Sequence, residues 1–430
     1  MKNFFKQTVV SILTLEAALL IRRTKPTIIA ITGSVGKTST KDAIFTVLKN
    51  HKKTRKSEKS FNSDIGVPLS VLGLPNAWNN PVLWFWNLVE GLFIALFSRN
   101  YPEVLVLECG VDRPGDMTRL TAWLKPHIVV ITRLPDVPVH VEYFSSPAAV
   151  SKEKLELASA LVADGTFIYN HDDSQLQAAL ASIRQASVGF SRYAPTHFNA
   201  SGDAVVYHDD VPVGSSLTLS HLDEKVVVKV YGSLGIQTSY TFAAAAAVAA
   251  QFAIPLSSVA ESLVNHVSPP GRMRVIPGIK GSCLIDDTYN SSPIAVETAL
   301  TTMRELRGFK RKIAVLGDML ELGQFSTREH ERMGELVATA VDVLFTVGIR
   351  SRKTAEGALE HGLSEKYIRQ YEDAEKAGKE LQAFLEPGDV VLIKGSQGIR
   401  AERIVEEVMA EPERAFELLV RQDASWQSRW

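Results

Sequence analysis

The sequence predicts an α/β protein built on two mostly parallel sheets, and three observations carry that expectation. Short apolar runs recur along the chain at Thr27–Ile31, Val104–Leu107, Ile128–Ile131, Cys283–Ile285, Ile313–Leu316, Val343–Val347 and Val390–Ile393. Most are continuous rather than alternating, the pattern of parallel strands covered on both faces. Helix-like stretches separate them, so strand and helix alternate. The stretch Ser268-Pro269-Pro270-Gly271 interrupts helix and strand alike and marks a boundary. It divides a first large domain, 26–268, from a second α/β domain, 269–430.

Bulk properties narrow the class. A chain of 430 residues has room for two or three domains. With 45% hydrophobic and 22% charged residues it has an ordinary globular composition. A formal net charge of −1 supplies no basic field, so no nucleic-acid partner is expected. Two distant cysteines, Cys109 and Cys283, make a disulfide framework an unsuitable reading and point to a reducing cytoplasm.

Residues 1–25 begin with a basic, apolar stretch that mimics an export signal. Glu16 interrupts it, and no small-residue cleavage site precedes Arg22 and Arg23. Val9, Ile12, Leu13, Ala17 and Leu20 recur at helical spacing, so the reading is one packed or interfacial helix. A second apolar stretch, 81–98, carries Trp84, Phe85 and Trp86 but is broken by Asn87, Glu90 and Gly91. It is read as a helix packed on the first, with Trp84, Phe85, Trp86, Leu88 and Phe93 removed from water; peripheral membrane contact is the alternative. The basic stretch Lys52-Lys53-Thr54-Arg55-Lys56 is read as a solvated loop, with a diphosphate or anionic headgroups as its other possible partners. Between 196 and 230, alternating β-branched and polar residues predict an antiparallel patch within the first domain.

The chemistry begins after Thr27–Ile31. There the chain reads Thr32-Gly33-Ser34-Val35-Gly36-Lys37-Thr38-Ser39, strand then glycine loop then helix. Such a loop turns backbone N–H groups toward phosphate oxygens, its lysine offsets phosphate charge and its hydroxyl ligates Mg²⁺. Ile31 stands where the general phosphate-loop pattern has glycine, so this is a shortened variant. A P-loop ATPase-type first domain is therefore expected, followed by a Rossmann-like C-terminal α/β domain. Glu108 follows a buried strand and would lie beside the loop, where a hard oxygen ligand suits Mg²⁺. His140, taken alone, reads as a surface histidine.

The loop variant resembles that of the Mur ligases, and further segments follow in that family's order. Phe61-Asn62-Ser63-Asp64-Ile65-Gly66-Val67-Pro68-Leu69, Leu107-Glu108-Cys109-Gly110 with Pro114-Gly115-Asp116, and Pro270-Gly271-Arg272-Met273 are similar to family segments. So are Ile285-Asp286-Asp287-Thr288-Tyr289-Asn290-Ser291-Ser292-Pro293, Val315-Leu316-Gly317-Asp318-Met319-Leu320-Glu321-Leu322-Gly323 and Ile393-Lys394-Gly395-Ser396-Gln397-Gly398. Together they resemble the branch that adds D-alanyl-D-alanine. The resemblance implies an ATP- and Mg²⁺-dependent carboxylate–amine ligase working through an acyl phosphate. It implies small-molecule substrates, a UDP-muramoyl-peptide and D-alanyl-D-alanine, and a place in peptidoglycan precursor synthesis. A different carboxylate is the alternative, a noncatalytic scaffold a third reading, and a monomer is expected.

The same resemblance assigns residues. Gly33, Ser34, Val35, Gly36, Lys37, Thr38 and Ser39 would hold the triphosphate. Arg272, Asp287, Tyr289 and Asn290 would form the second wall of the nucleotide site. Thr38, Glu108 and His140 would ligate metal. His140 precedes Lys154 by fourteen residues, the family spacing between a metal-binding histidine and a lysine carbamylated by CO₂; Lys152 is a competing choice. Lys394 and Ser396 are candidates for the carboxylate of the incoming amine component, with structural caps as the alternative. Two departures stand out. The phosphate loop comes after one predicted helix, so the family's UDP-sugar-binding domain is expected to be missing. The adenine-binding segment corresponds to Ile236–Ala244, where Ile236 and Tyr240 replace its histidine and second asparagine.

Overall fold

The computed structural model describes residues 2–58, 61–423 and 426, with side chains from residue 5 onward. In the first half, α1 (Lys2–Thr24) leads into β1 (Thr27–Thr32), α2 (Lys37–Leu48), β2 (Thr54–Lys56), α3 (Gly66–Leu72), α4 (Pro81–Phe97), β3 (Val104–Glu108), α5 (Asp116–Thr121) and β4 (Ile128–Ile131). Then come α6 (Pro147–Ser159), β5 (Thr166–Asn170), α7 (Ser174–Ala179), β6 (Ala186–Ser191), β7 (Phe198–His208), β8 (Val211–His221), β9 (Glu224–Tyr231), α8 (Gln237–Ala250) and α9 (Leu256–Val264). The strands make one nine-stranded sheet, ordered β2-β3-β1-β4-β5-β6-β7-β8-β9.

From β2 to β7 the pairing is parallel; β7, β8 and β9 pair antiparallel. The predicted antiparallel patch is thus the continuation of the parallel sheet. Its outer face meets water, which is why its residues alternate while those of β1 and β3 do not. β1 lies between β3 and β4: the chain leaves β1 toward β2 on one side and later crosses from β3 to β4 on the other. That arrangement opens a crevice beyond its C-terminal end.

The second half contains β10 (Arg274–Pro277), β11 (Cys283–Asp287), α10 (Pro293–Glu305), β12 (Arg311–Gly317), α11 (Ser326–Ala340), β13 (Val343–Val347) and α12 (Arg352–Glu360). It ends with β14 (Ile368–Tyr371), α13 (Ala374–Phe384), β15 (Asp389–Lys394), α14 (Glu402–Val408) and α15 (Ala415–Leu418). Its six strands run β10-β11-β15-β12-β13-β14, parallel except for the β10 edge.

α1 packs on α4, as the sequence suggests, but only the inner half of α4 is covered. Trp84, Asn87, Gly91 and Ala95 are buried. Phe85, Trp86 and Phe93, expected to be hidden, are exposed by 62%, 59% and 65%. The reason is geometric: α1 and the end of α3 cover one side of α4, and α4 is apolar on both sides.

At the crossing of the two helices, Gly91 admits Glu16. A Cβ at Gly91 would fall 2.3 Å from Glu16 Oε2. That oxygen is buried without a hydrogen-bond partner, and burial pushes the carboxyl up from 4.5 to about 7. Between those values the folded chain keeps a proton that the unfolded chain has lost. Stability contributed by this group is therefore full below pH 4.5 and is lost as pH rises to 7, with a cost of about 3 kcal/mol above that. Glu16→Gln is expected to raise Tm by roughly 3–8 °C at pH 8 and to leave it unchanged at pH 4. Calorimetry at the two pH values checks this; an unchanged Tm at pH 8 would refute the buried-acid reading.

Candidate active site

The site starts from strand register. In the sheet Ile31 pairs with Glu108 and Thr32 with Ile131, so three strand ends meet where the phosphate loop begins. Gly36 adopts φ 85° at the N-terminus of α2. That left-handed conformation favours glycine, and a side chain there would also have to displace the Gln237 amide, whose Nε2 would lie 2.4 Å from its Cβ. Thr132, just past β4, donates its hydroxyl to Val35 O at 2.6 Å and fastens the loop to the sheet.

Lys37 folds back on the loop, its ammonium 2.8 Å from Gly33 O. Burial deep in the cleft lowers its pKa, while Glu108 opposes the shift. Thr38 is buried beside it. Glu108 is 1% exposed; its Oε1 accepts from Asn62 Nδ2 at 3.0 Å, while Oε2 has no hydrogen-bond partner and lies 3.7 Å from Lys41 Nζ. A buried carboxylate oxygen with unspent acceptor capacity, next to a threonine hydroxyl and a phosphate cradle, fits Mg²⁺. Among the described residues no three His, Cys, Asp or Glu side chains form a ready metal cluster. The set is one that substrate phosphates and further ligands would complete.

Lys154, on α6, points under the loop. Its Nζ is 3.4 Å from both Gly33 O and Ser34 Oγ. Burial first, and then the charge of Lys37, bring its pKa down to about 7. It therefore offers an uncharged amine near neutral pH. Lys152 is exposed on the opposite side of the same helix, so of the two lysines it is Lys154 that faces the loop. His140 lies in the same cleft, but its Nδ1 is 2.6 Å from Glu321 Oε2 and its Nε2 is 3.5 Å from Asp112 Oδ1. Contact with His140 holds the Glu321 carboxyl below its usual range. Because Glu321 follows β12, this contact bridges the two sheets' domains.

The opposite wall comes from the second half. Arg272 stacks on Tyr289, with its guanidinium carbon 4.2 Å from the ring centre, and its buried Nε has no hydrogen-bond partner among the described residues. Asn290, Ser396 and the segment Leu419–Asp423 line the same wall, and the cleft between the walls holds about 1600 Å³. Ser396 Oγ accepts from Leu320 N at 2.9 Å, which leaves its proton available to the cleft.

Two expected site residues belong elsewhere. Lys394 is expected at a substrate carboxylate and Asp287 at the nucleotide. Register instead pairs them across β11 and β15. The Lys394 ammonium, 1% exposed, donates to Asp287 Oδ2 at 2.7 Å and to Asn290 O at 2.9 Å, so both charges are spent in a buried pair that shapes the wall from behind.

Comparison with known proteins identifies the family. Residues 89–249 match the Mur ligase middle domain, and residues 271–397 match the Mur ligase, glutamate ligase domain. The chain belongs to the Mur ligase family. As a Mur ligase it is an ATP-dependent enzyme that forms amide bonds. Among curated relatives, the UDP-N-acetylmuramoyl-tripeptide–D-alanyl-D-alanine ligase of Bacillus subtilis is 28% identical over 386 residues, covering 90% of this chain and 76% of that protein. The Escherichia coli enzyme of the same name is 26% identical, covering 91% and 78%. A MurF ligase from Thermotoga maritima, solved with ADP, shares the fold with a TM-score of 0.75 at 24% identity, covering 95% of this chain and 84% of that one. MurF from Acinetobacter baumannii gives 0.76 at 21% identity, covering 93% and 80%.

Several residues of this Mur ligase's cleft escaped the sequence reading. Lys41 is one, although its spacing of four from Lys37 puts both on one face of α2. Asn62 and Glu321 sit inside family segments but reveal their partners only in three dimensions. Arg421, which donates to Thr288 O and to Glu402, carries no sequence signal at all.

Proposed function

We propose that this Mur ligase joins D-alanyl-D-alanine to a UDP-muramoyl-tripeptide, the reaction for which its curated relatives are named. The observation that carries the reading is the convergence of Lys37, Thr38, Glu108 and Arg272 on one cleft. A substrate carboxylate oxygen attacks the γ-phosphorus of ATP; the bond to the β-phosphate oxygen breaks, and ADP leaves. The amine of the dipeptide then attacks the acyl-phosphate carbon, phosphate departs, and the amine gives up a proton. Lys37 and the loop amides hold the triphosphate, and Arg272 and Tyr289 close on it from the other wall. Thr38, Glu108 and His140 would hold Mg²⁺, which offsets charge on the transferring phosphoryl group. Lys154 combines with CO₂ as its free amine and releases a proton, giving an anionic carbamate beside the loop.

Both walls come from one chain, which favours a working monomer. Cys109 and Cys283 are free and buried, which suits a reducing cytoplasm. The test is ADP formation with both substrates present, and product mass. Amide product appearing only when ATP, UDP-muramoyl-tripeptide and D-alanyl-D-alanine are all supplied is the expected result. ADP release driven by another carboxylate, and not by this one, would replace the substrate assignment.

A further inference from the structure

α4 is a helix of 17 residues, about 25 Å long at its usual rise and so shorter than a bilayer's apolar core. No helix among the described residues is long and apolar enough to cross a membrane. Yet half of α4 faces water with Val82, Phe85, Trp86, Val89, Phe93 and Phe97, each between 45% and 65% exposed. Along the whole helix Glu90 is the single polar residue exposed.

A protein partner would need more than that. Protein interfaces carry about one hydrogen bond per 100–200 Å² and a polar rim, and this face presents one carboxylate. Cations gather instead at one end. Arg23 donates to Ala95 O and Ile94 O and so sits at the last turn of α4; Arg22 is next to it and exposed. Arg99 is exposed just beyond the helix, and Lys53 reaches Asn100 O beside it. An apolar, aromatic-rich face with clustered arginine and lysine at its border has the chemistry of a helix lying in the interface of an anionic bilayer.

We propose that the outward half of α4 docks this protein on an anionic lipid surface, lying in the interface without spanning it. Trp78, in the turn before α4, also lines the cleft. Docking therefore sets the mouth of the cleft at the bilayer surface. The proposal does not depend on the ligase chemistry, since binding to lipid needs no substrate.

The test is co-sedimentation of the full chain with phosphatidylcholine vesicles, with and without one-third phosphatidylglycerol. The expected result is sedimentation with the anionic vesicles, weakened by salt. The double variant Phe85→Glu/Phe93→Glu should lose this binding by at least about tenfold while keeping its Tm, because both residues are exposed. Two results would overturn the proposal. One is equal sedimentation of wild type and variant, or of neither. The other is a wild-type dimer by light scattering, without vesicle binding, that the variant converts to monomer; that outcome assigns the face to a second copy of this chain.

Discussion

Lys37→Ala is expected to lower the rate of ADP formation, with both substrates saturating, by about 10²–10³-fold. The lysine is the one loop side chain whose charge can follow the phosphoryl group in flight. Among the described residues its ammonium has no carboxylate partner at hydrogen-bonding distance, and it rests on Gly33 O, a contact that phosphate oxygens can replace. Removing it deletes one hydrogen bond to a carbonyl on an already bonded loop, so the fold should tolerate the change, with Tm within a few degrees of wild type. Initial rates and a melting curve on the same preparation separate the two effects. Turnover within threefold of wild type would remove Lys37 from the chemistry.

If Lys154 carries the proposed carbamate, Lys154→Ala is expected to be inactive on a comparable scale, about 10³-fold, because an anion worth several kcal/mol beside the transferred phosphoryl group is then lost. An ordinary lysine is charged at neutral pH and does not combine with CO₂; burial under Gly33 and Ser34 brings this one to about 7. The free-amine fraction rises as pH passes upward through 7, so carbamate formation should rise over the same range. Carbon-13 NMR after equilibration with labelled bicarbonate should show one carbamate signal in wild type and none in Lys154→Ala. Acetate or formate should restore part of the variant's activity by supplying the missing carboxylate oxygens. An active Lys154→Ala, or a variant that keeps the labelled signal, would refute the role.

Much of this is legible in the sequence. The seven apolar runs all became strands, because a continuous apolar segment must be covered on both faces and a parallel sheet between helices does that. The phosphate loop was legible because glycine conformations, a lysine and a hydroxyl are local requirements, fixed by adjacent residues. Glu108 was legible for a related reason: a strand end has one place to go in a doubly wound sheet.

Contacts between distant segments were decided only by the tertiary structure. Lys394 looks from sequence like an anion-binding lysine, but β11 and β15 lie side by side and Asp287 takes its charge. Glu321 reaches His140 because two domains face one another, a relation that no spacing encodes. The apolar helix α4 shows the same division. Its composition determined that a helix would form and that it would seek an apolar neighbour. Which residues are hidden was set by the crossing with α1, where Gly91 lets Glu16 approach, and by the end of α3 beside it; both lie on one face and leave the other to water. Local geometry and hydrophobic period are written along the chain. The pairing of buried charges and the choice of a covered face depend on which segments meet, and only the folded chain specifies that.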